Sequence, residues 1–124
     1  MENIYNNKKA LGSWGERLAA EHLKAMGYKI VYRNYRCRFG EIDLICRDGA
    51  VWCFVEVKTR KSTQYGDGLQ AITPLKQKHL YSVALYFLNQ IHDTDAAARF
   101  DVVSIRYQSE FDYDICLVQN AFSI

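Results

Sequence analysis

The chain has 124 residues, which is enough for one packed domain and too few for two independent cores. Hydrophobic residues make up 49% of the chain and charged residues 24%, with a single proline, which excludes a largely disordered protein. The formal net charge of +2 is too small to indicate a nucleic-acid or membrane partner by itself. We therefore expect a single domain over residues 1–124, with residues 1–9 as a flexible tail.

Neither a membrane segment nor a disulfide framework is expected. No apolar run reaches the roughly 18 uncharged residues that a membrane helix needs, and residues 1–10 are polar rather than signal-like. The four cysteines form no C-x-x-C pair, so we expect them to be reduced and structural: Cys37, Cys46, Cys53 and Cys116. These features indicate a cytoplasmic protein.

The first half of the chain predicts one helix followed by three strands. Apolar residues recur at helical spacing over residues 9–26, and Gly27 follows as a natural stop. The apolar positions of this helix are Leu11, Trp14, Leu18, Ala25 and Met26. Alternation and an excess of β-branched and aromatic residues then predict strands over residues 28–37, 42–46 and 51–57.

The second half predicts a loop, a helix and two more strands. Residues 65–69 read as a loop, Thr73 suits an N-cap and Pro74 suits the first helical position. This helix should run to about Gln90 with one buried stripe, formed by Leu80, Val83, Ala84, Phe87 and Ile91. Residues 92–98 connect it to strands predicted over residues 100–105 and 113–118.

The predicted order is therefore α-β-β-β-α-β-β. The second helix is long enough to serve as the crossover that a parallel strand pair requires. The expected fold class is α/β, a three-layer sandwich in which helices flank a mixed sheet of about five strands.

The pair Asp48-Gly49 is a two-residue hairpin signal, which would place Cys46 opposite Val51 and Glu41 opposite Glu56. One face of this hairpin is apolar and is expected in the core, with Ile42, Leu44, Cys46, Val51, Cys53, Val55 and Val57. The other face gathers charges at the end away from the turn, where Asp43 lies diagonal to Glu56. Like charges opposite one another destabilise a sheet, so the carboxylates of Glu41, Asp43 and Glu56 need a positive charge to neutralise them.

A divalent cation with Lys58 nearby would neutralise this group. The carboxylates of Asp43 and Glu56 suit Mg²⁺ or Mn²⁺, which can polarise a phosphoryl oxygen and generate hydroxide. Lys58 could orient or deprotonate the attacking water, or stabilise charge at phosphorus. From the residues alone, a surface salt-bridge cluster without a function explains the same pattern.

Asp43, followed after twelve residues by Glu56-Val57-Lys58, resembles the active site of the PD-(D/E)xK nuclease superfamily, with Ile42 in place of the proline. Further segments match along nearly the whole chain: Gly12-Ser13-Trp14-Gly15-Glu16, Arg33-Asn34, Gly40-Glu41-Ile42-Asp43-Leu44-Ile45, Val55-Glu56-Val57-Lys58-Thr59-Arg60 and Arg99-Phe100-Asp101-Val102-Val103. Together they resemble the YraN-like family of small bacterial proteins, predicted endonucleases that are related to archaeal Holliday-junction resolvases. The match spans roughly residues 10–122.

The resemblance implies a restriction-endonuclease-like core and Mg²⁺- or Mn²⁺-dependent phosphodiester cleavage. The implied catalytic residues are Glu16, Asp43, Glu56 and Lys58, with Asp43 and Glu56 as metal ligands. Glu16 lies on a mostly apolar helix face, where a carboxylate is awkward without a partner, and an approach to the metal would supply one. From the residues alone, a solvated glutamate on the helix flank is the favoured interpretation of Glu16. By analogy with the resolvases, a homodimer is expected as well.

Charge is unevenly distributed along the chain. Residues 28–80 carry ten basic and five acidic side chains, a net charge of +5, whereas the remainder carries −3. The arginines of the first strand alternate with aromatic residues, a mixture suited to phosphate contacts and base stacking. The predicted nucleic-acid-binding residues are Arg33, Arg36, Arg38, Arg60, Lys76 and Lys78. Lys76 and Lys78 lie in the first turn of a helix, where a bound phosphate would offset their repulsion from the helix dipole.

The sequence therefore predicts a metal-dependent endonuclease acting on DNA, including branched or flapped structures, with RNA as the alternative nucleic acid. A non-catalytic nucleic-acid-binding module or adaptor of the same fold is the main alternative. A third alternative is a partner-binding protein whose acidic cluster is structural.

Overall fold

A computed structural model of the chain describes residues 7–63 and 72–123. Its elements confirm the predicted order and are α1 (Lys8–Ala25), β1 (Lys29–Cys37), β2 (Gly40–Asp48), β3 (Val51–Lys61), α2 (Pro74–Gln90), β4 (Ala98–Ser109) and β5 (Asp112–Phe122). The loop predicted at residues 65–69 and residues 1–6 of the predicted tail lie outside the described residues. Residues 8 and 9, which were also assigned to that tail, belong to α1.

The start of α1 is fixed by Asn7, whose side chain accepts hydrogen bonds from the backbone N–H groups of Lys9 and Ala10. The helix ends at Ala25, and the backbone N–H of Met26 bonds back to carbonyls of the last turn. Ala25, the last residue of the helix, and Met26, which caps its end, are exposed. Gly27 then supplies the positive φ of +95° that ends the helix.

The start of α2 is the one the sequence predicts. The Thr73 hydroxyl accepts a hydrogen bond from the Lys76 N–H at 3.2 Å, and Pro74 occupies the first helical position. The predicted burial of Ile91 is wrong, because this residue caps the end of α2 and is exposed, while Leu88 is buried within the helix. Neither α1 nor α2, the two helices of the described residues, is long and apolar enough to cross a membrane.

The five strands form one sheet in the order β1-β2-β3-β4-β5. Neighbouring strands are antiparallel except β3 and β4, which are parallel and are connected through α2. This arrangement confirms the mixed sheet, because a parallel pair needs a crossover and α2 provides it.

The two helices cover opposite faces of the sheet and complete a three-layer α/β sandwich. On one face α1 contributes Trp14, Ala19, Ala20 and Leu23 to a core shared with Leu44, Cys46, Cys53, Val55, Val103, Ile105 and other sheet residues. On the other face α2 contributes Leu80, Val83, Ala84, Phe87 and Leu88 to a core shared with Ile42, Ile45, Trp52, Phe54 and Val102. The sheet is therefore buried on both sides at its centre.

The register of the β2–β3 hairpin differs from the prediction by two residues. The turn consists of Gly49 and Ala50, with Asp48 paired with Val51 and Cys46 paired with Cys53. Gly49 takes the first central position with φ +60°, which glycine adopts without strain, so the loop lies one residue later than expected. A shift of two residues leaves each side chain on its predicted face, but it changes which charges are neighbours.

Ile42 is an exception to the predicted faces. It packs in the core beneath α2, whereas Leu44, two residues later, packs in the core beneath α1. The alternation is interrupted at Asp43, beside Asn34 of the neighbouring strand, whose φ is +54°. Asparagine tolerates this left-handed conformation better than most residues. The irregular backbone at this point contributes to the site described next.

Candidate active site

A cleft of about 510 Å³ opens where β2 and β3 separate, beneath the first turn of α2. Asp43, Glu56 and Lys58 line it, together with Lys76 and His79 from α2. An adjoining concavity shares Asp43 and Lys58 and adds Glu16 from α1. The structure therefore brings the four predicted catalytic residues to one place, which we call the carboxylate cleft.

Asp43 is held at the point where the β2–β3 ladder stops being regular. The ladder pairs Asp48 with Val51 through Leu44 with Val55, and beyond it the Asp43 carboxylate accepts a hydrogen bond of 2.8 Å from the Val57 N–H. Burial raises the pKa of Asp43, and the Val57 N–H lowers it in part. The carboxylate thus takes a strand amide as a fixed donor, which orients it toward the cleft.

Glu56 lies beside Asp43 and is one of the most deeply buried charged groups of the described chain, with 5% of the residue exposed. The shifted register brings Asp43, rather than the predicted Glu41, next to it. Burial, followed by the charge of Asp43, raises the pKa of Glu56 to about 7. A Lys76 Nζ lies 3.2 Å from Glu56 Oε2 and opposes this shift.

Two lysines approach the carboxylates from different elements. Lys58 extends from β3, and burial together with the neighbouring Lys76 lowers its pKa. Burial also acts to lower the pKa of Lys76, but the hydrogen bond with Lys58 and the charge of Glu56 raise it overall. Lys76 therefore holds its proton more firmly than Lys58, and Lys58 is the better proton acceptor of the two.

Glu16 reaches the cleft because α1 packs very close to β3. A Cβ at Gly15 would collide with the Thr59 side chain, so only glycine permits this approach. With its amide nitrogen turned toward Glu16, Asn34 donates to both carboxylate oxygens, at 3.2 and 3.1 Å. Burial, and then the charge of Asp43, raises the pKa of Glu16. Glu16 and Asp43 line the same concavity.

The residues of the cleft are compatible with a hard divalent cation. In residues 7–63 and 72–123, no group of three or more His, Cys, Asp and Glu side chains is arranged to hold a metal ion. However, Mg²⁺ often binds through one or two carboxylates and keeps several waters, which Asp43 and Glu56 can satisfy. Burial, followed by the charge of Asp43, raises the pKa of Glu56, and a cation held by both carboxylates would offset the repulsion.

The predicted nucleic-acid-binding residues are spread over a wider area. Arg36 forms an ion pair of 2.9 Å with Glu41 and lines a third concavity with Glu16, Lys8 and Lys9. Of the six predicted residues, only Lys76 and Arg36 line the three concavities. The others are Arg38, stacked over the Phe39 ring, Arg33 on β1, Arg60 on β3 and Lys78 on the exposed side of α2.

Sequence reasoning missed three features of this site. It placed Lys8 in a flexible tail and Lys9 at the junction of this tail with the first helix, although both line the concavity next to Glu16. It gave Asn34 no role, although asparagine at a strand irregularity is a detectable sign of positive φ. It assigned Lys76 to phosphate binding, whereas the structure pairs this lysine with Glu56.

Comparison with known proteins identifies the family. The model of a family described as "Uncharacterised protein family UPF0102" matches residues 15–105. The chain belongs to this family. A UPF0102 protein of Caldicellulosiruptor saccharolyticus is 46% identical over 117 residues, which cover 94% of this chain and 99% of the relative. A UPF0102 protein of Geobacter metallireducens is 46% identical over 118 residues, covering 95% and 96%. The UPF0102 match includes Glu16, Asp43, Glu56 and Lys58, and the relatives' names state no activity.

Proposed function

We propose that the protein is a metal-dependent endonuclease that hydrolyses phosphodiester bonds in DNA, as a member of the PD-(D/E)xK superfamily with a restriction-endonuclease-like core. The observation that carries this proposal is the meeting of Asp43, Glu56 and Lys58 in one cleft, although thirteen positions separate Asp43 from Glu56 in the chain. Branched and flapped DNA are the candidate substrates, and RNA is the alternative. A homodimer in the cytoplasm is part of the same proposal, since cutting two strands requires two sites.

The proposed chemistry assigns one task to each side chain. Asp43 and Glu56 would hold Mg²⁺ or Mn²⁺, which when bound polarises a phosphoryl oxygen and makes water more acidic. As the neutral amine, which its lowered pKa favours, Lys58 would accept a proton from the water whose oxygen bonds to phosphorus, while the P–O bond to the leaving sugar oxygen breaks and that oxygen takes a proton from solvent. As the ammonium, Lys58 would orient the water and stabilise the charge that develops at phosphorus. Glu16, fixed by Asn34, supports the acidic end of the cleft from α1.

Basic side chains flank the carboxylates on both sides, which supports an anionic substrate. Lys76 and His79 border the cleft from α2, and Lys8, Lys9 and Arg36 border the adjoining concavity near α1. A phosphate backbone that crosses the carboxylate cleft would meet positive charge before and after it. This arrangement favours a nucleic acid over a small neutral substrate.

Cleavage of a panel of labelled DNAs tests the proposal. Linear, flapped and four-way DNA are incubated with Mg²⁺ or Mn²⁺, and Glu56→Ala and Lys58→Ala are each expected to lower the cleavage rate at least about 100-fold. DNA binding, measured by fluorescence anisotropy, should be largely retained. Glu21→Ala and Lys24→Ala, which remove exposed charges from α1, are the matched controls and should cleave normally. Cleavage that survives in both site variants contradicts the assignment.

A non-catalytic nucleic-acid-binding module is the second candidate. It is favoured by the ion pair between Glu56 and Lys76, which already neutralises the buried carboxylate, and by the lack of a closed metal-binding group in the described part of the chain. Such a module should bind DNA equally well in EDTA and in Mg²⁺, and it should nick none of the DNAs in the panel.

A further inference from the structure

Lys76 lies beside Glu56, one of the two proposed metal ligands. Its Nζ lies 3.2 Å from Glu56 Oε2, and the Glu56 side chain is 6% exposed. Asp43 lines the same cleft, so this end of the cleft holds two carboxylates. The Lys76 ammonium is therefore paired with this oxygen of Glu56, and a metal ion that used the same oxygen would have to compete with it.

The position of Lys76 also allows its side chain to move away from Glu56. Its side chain is 37% exposed, in contrast to the buried Glu56. Its backbone N–H bonds to Thr73 and its helix is anchored by the core beneath α2, so only the flexible side chain must move. A phosphate that enters the cleft beside the first turn of α2 would offer the ammonium a new partner on the solvent side.

We infer that Lys76 is an exchangeable counter-ion, which moves from Glu56 to a nucleic-acid phosphate and thereby frees this carboxylate for the metal ion. The inference rests on the proposed function and adds a positioning residue to it. Because coupling between two ligands is reciprocal, DNA should strengthen metal binding through Lys76, and the metal should strengthen DNA binding by the same factor. Without DNA, the lysine keeps metal affinity low.

Calorimetric titration with Mg²⁺ in the absence of DNA tests this inference. At about pH 8, Lys76→Met should bind Mg²⁺ about three- to tenfold more tightly than the wild type, because no ammonium then competes with the metal ion for Glu56. Lys78→Met removes the same charge from an exposed position two residues away and should change the affinity less than about twofold. A second arm measures the binding of labelled duplex DNA by anisotropy, in EDTA and in Ca²⁺. Ca²⁺ should strengthen DNA binding by the wild type and much less by Lys76→Met.

The outcomes separate this inference from the proposed function. Equal or weaker Mg²⁺ binding by Lys76→Met overturns the inference; if Glu56→Gln then removes the wild-type signal, the proposed metal site still stands. Equal tightening in Lys76→Met and Lys78→Met also overturns it, because the effect is then general electrostatics. An absence of Mg²⁺ binding in both the wild type and Lys76→Met overturns the inference and the proposed function together.

Discussion

Glu56 should make the metal-free protein less stable at neutral pH than at acidic pH. Its pKa is about 7 in the folded chain, against an ordinary value of 4.5, so the folded state binds this proton more tightly than the unfolded state does. The contribution of Glu56 to the free energy of unfolding is therefore complete below about pH 4.5 and is lost as the pH rises through about 7. The difference between these two pKa values corresponds to about 3 kcal/mol in the free energy of unfolding.

Glu56→Gln removes this dependence while it preserves the size and shape of the side chain. The change also leaves the Lys76 ammonium without its partner, so we expect a net gain of about 1–3 kcal/mol at pH 8. Near pH 4 the side chain at position 56 is neutral in the wild type and in Glu56→Gln, so the two proteins should have similar free energies of unfolding. Urea unfolding at a series of pH values, with EDTA present, measures the difference.

Glu21→Gln is the control for this experiment, because it makes the same substitution at an exposed position of α1 and should change the free energy of unfolding little. The reasoning is refuted if Glu56→Gln is as stable as the wild type at pH 8, or less stable. Such a result would mean that the ion pair with Lys76 outweighs the cost of burying the carboxylate.

Two further substitutions test how the fold supports the site. Gly15→Ala should lower the free energy of unfolding by about 1–3 kcal/mol, because its Cβ collides with Thr59, whereas Gly12→Ala, with open space around its Cβ, should not destabilise the protein. Tyr28→Phe removes a hydroxyl that donates to the buried Asp101 and accepts hydrogen bonds from two other side chains. It should cost about 1–3 kcal/mol in urea unfolding while DNA cleavage is retained, because this network lies toward the turn end of the hairpin.

The order of elements could be predicted because local signals are strong. Thr73 and Pro74 define the start of α2 by capping chemistry alone, and the structure confirms both. The hairpin register could not be predicted, because Asp48-Gly49 and Gly49-Ala50 are both acceptable two-residue turns, and the choice depends on how the strands pack. The ends of strands were less predictable still: β3 continues to Lys61, four residues past its predicted end, because it pairs with β4 along its length.

The candidate site was predictable in its membership but not in its contacts. Even with the wrong register, Glu56 and Lys58 stay on one face, because a shift of two residues preserves the alternation of β3. Asp43 joins them although the alternation of β2 is interrupted there, since the Val57 N–H holds its carboxylate. The partner of Lys76 was not predictable, because Glu56 and Lys76 are twenty positions apart and meet only when α2 packs on the sheet. The irregularity at Asn34 likewise depends on the tertiary fold.

Both helices begin beside the carboxylate cleft, and neither has an acidic residue in its first turn. These turns contain lysines instead, Lys8 and Lys9 in α1 and Lys76 in α2. Each lysine opposes the helix dipole, which lowers the free energy of unfolding by a few tenths of a kcal/mol. Glutamate at these positions would strengthen the helices and weaken the attraction for an anion. At these three positions, a stable fold therefore favours glutamate, whereas affinity for an anion favours lysine. Engineering for thermostability should leave these two helix starts unchanged and take its gains from the exposed parts of the chain far from the cleft.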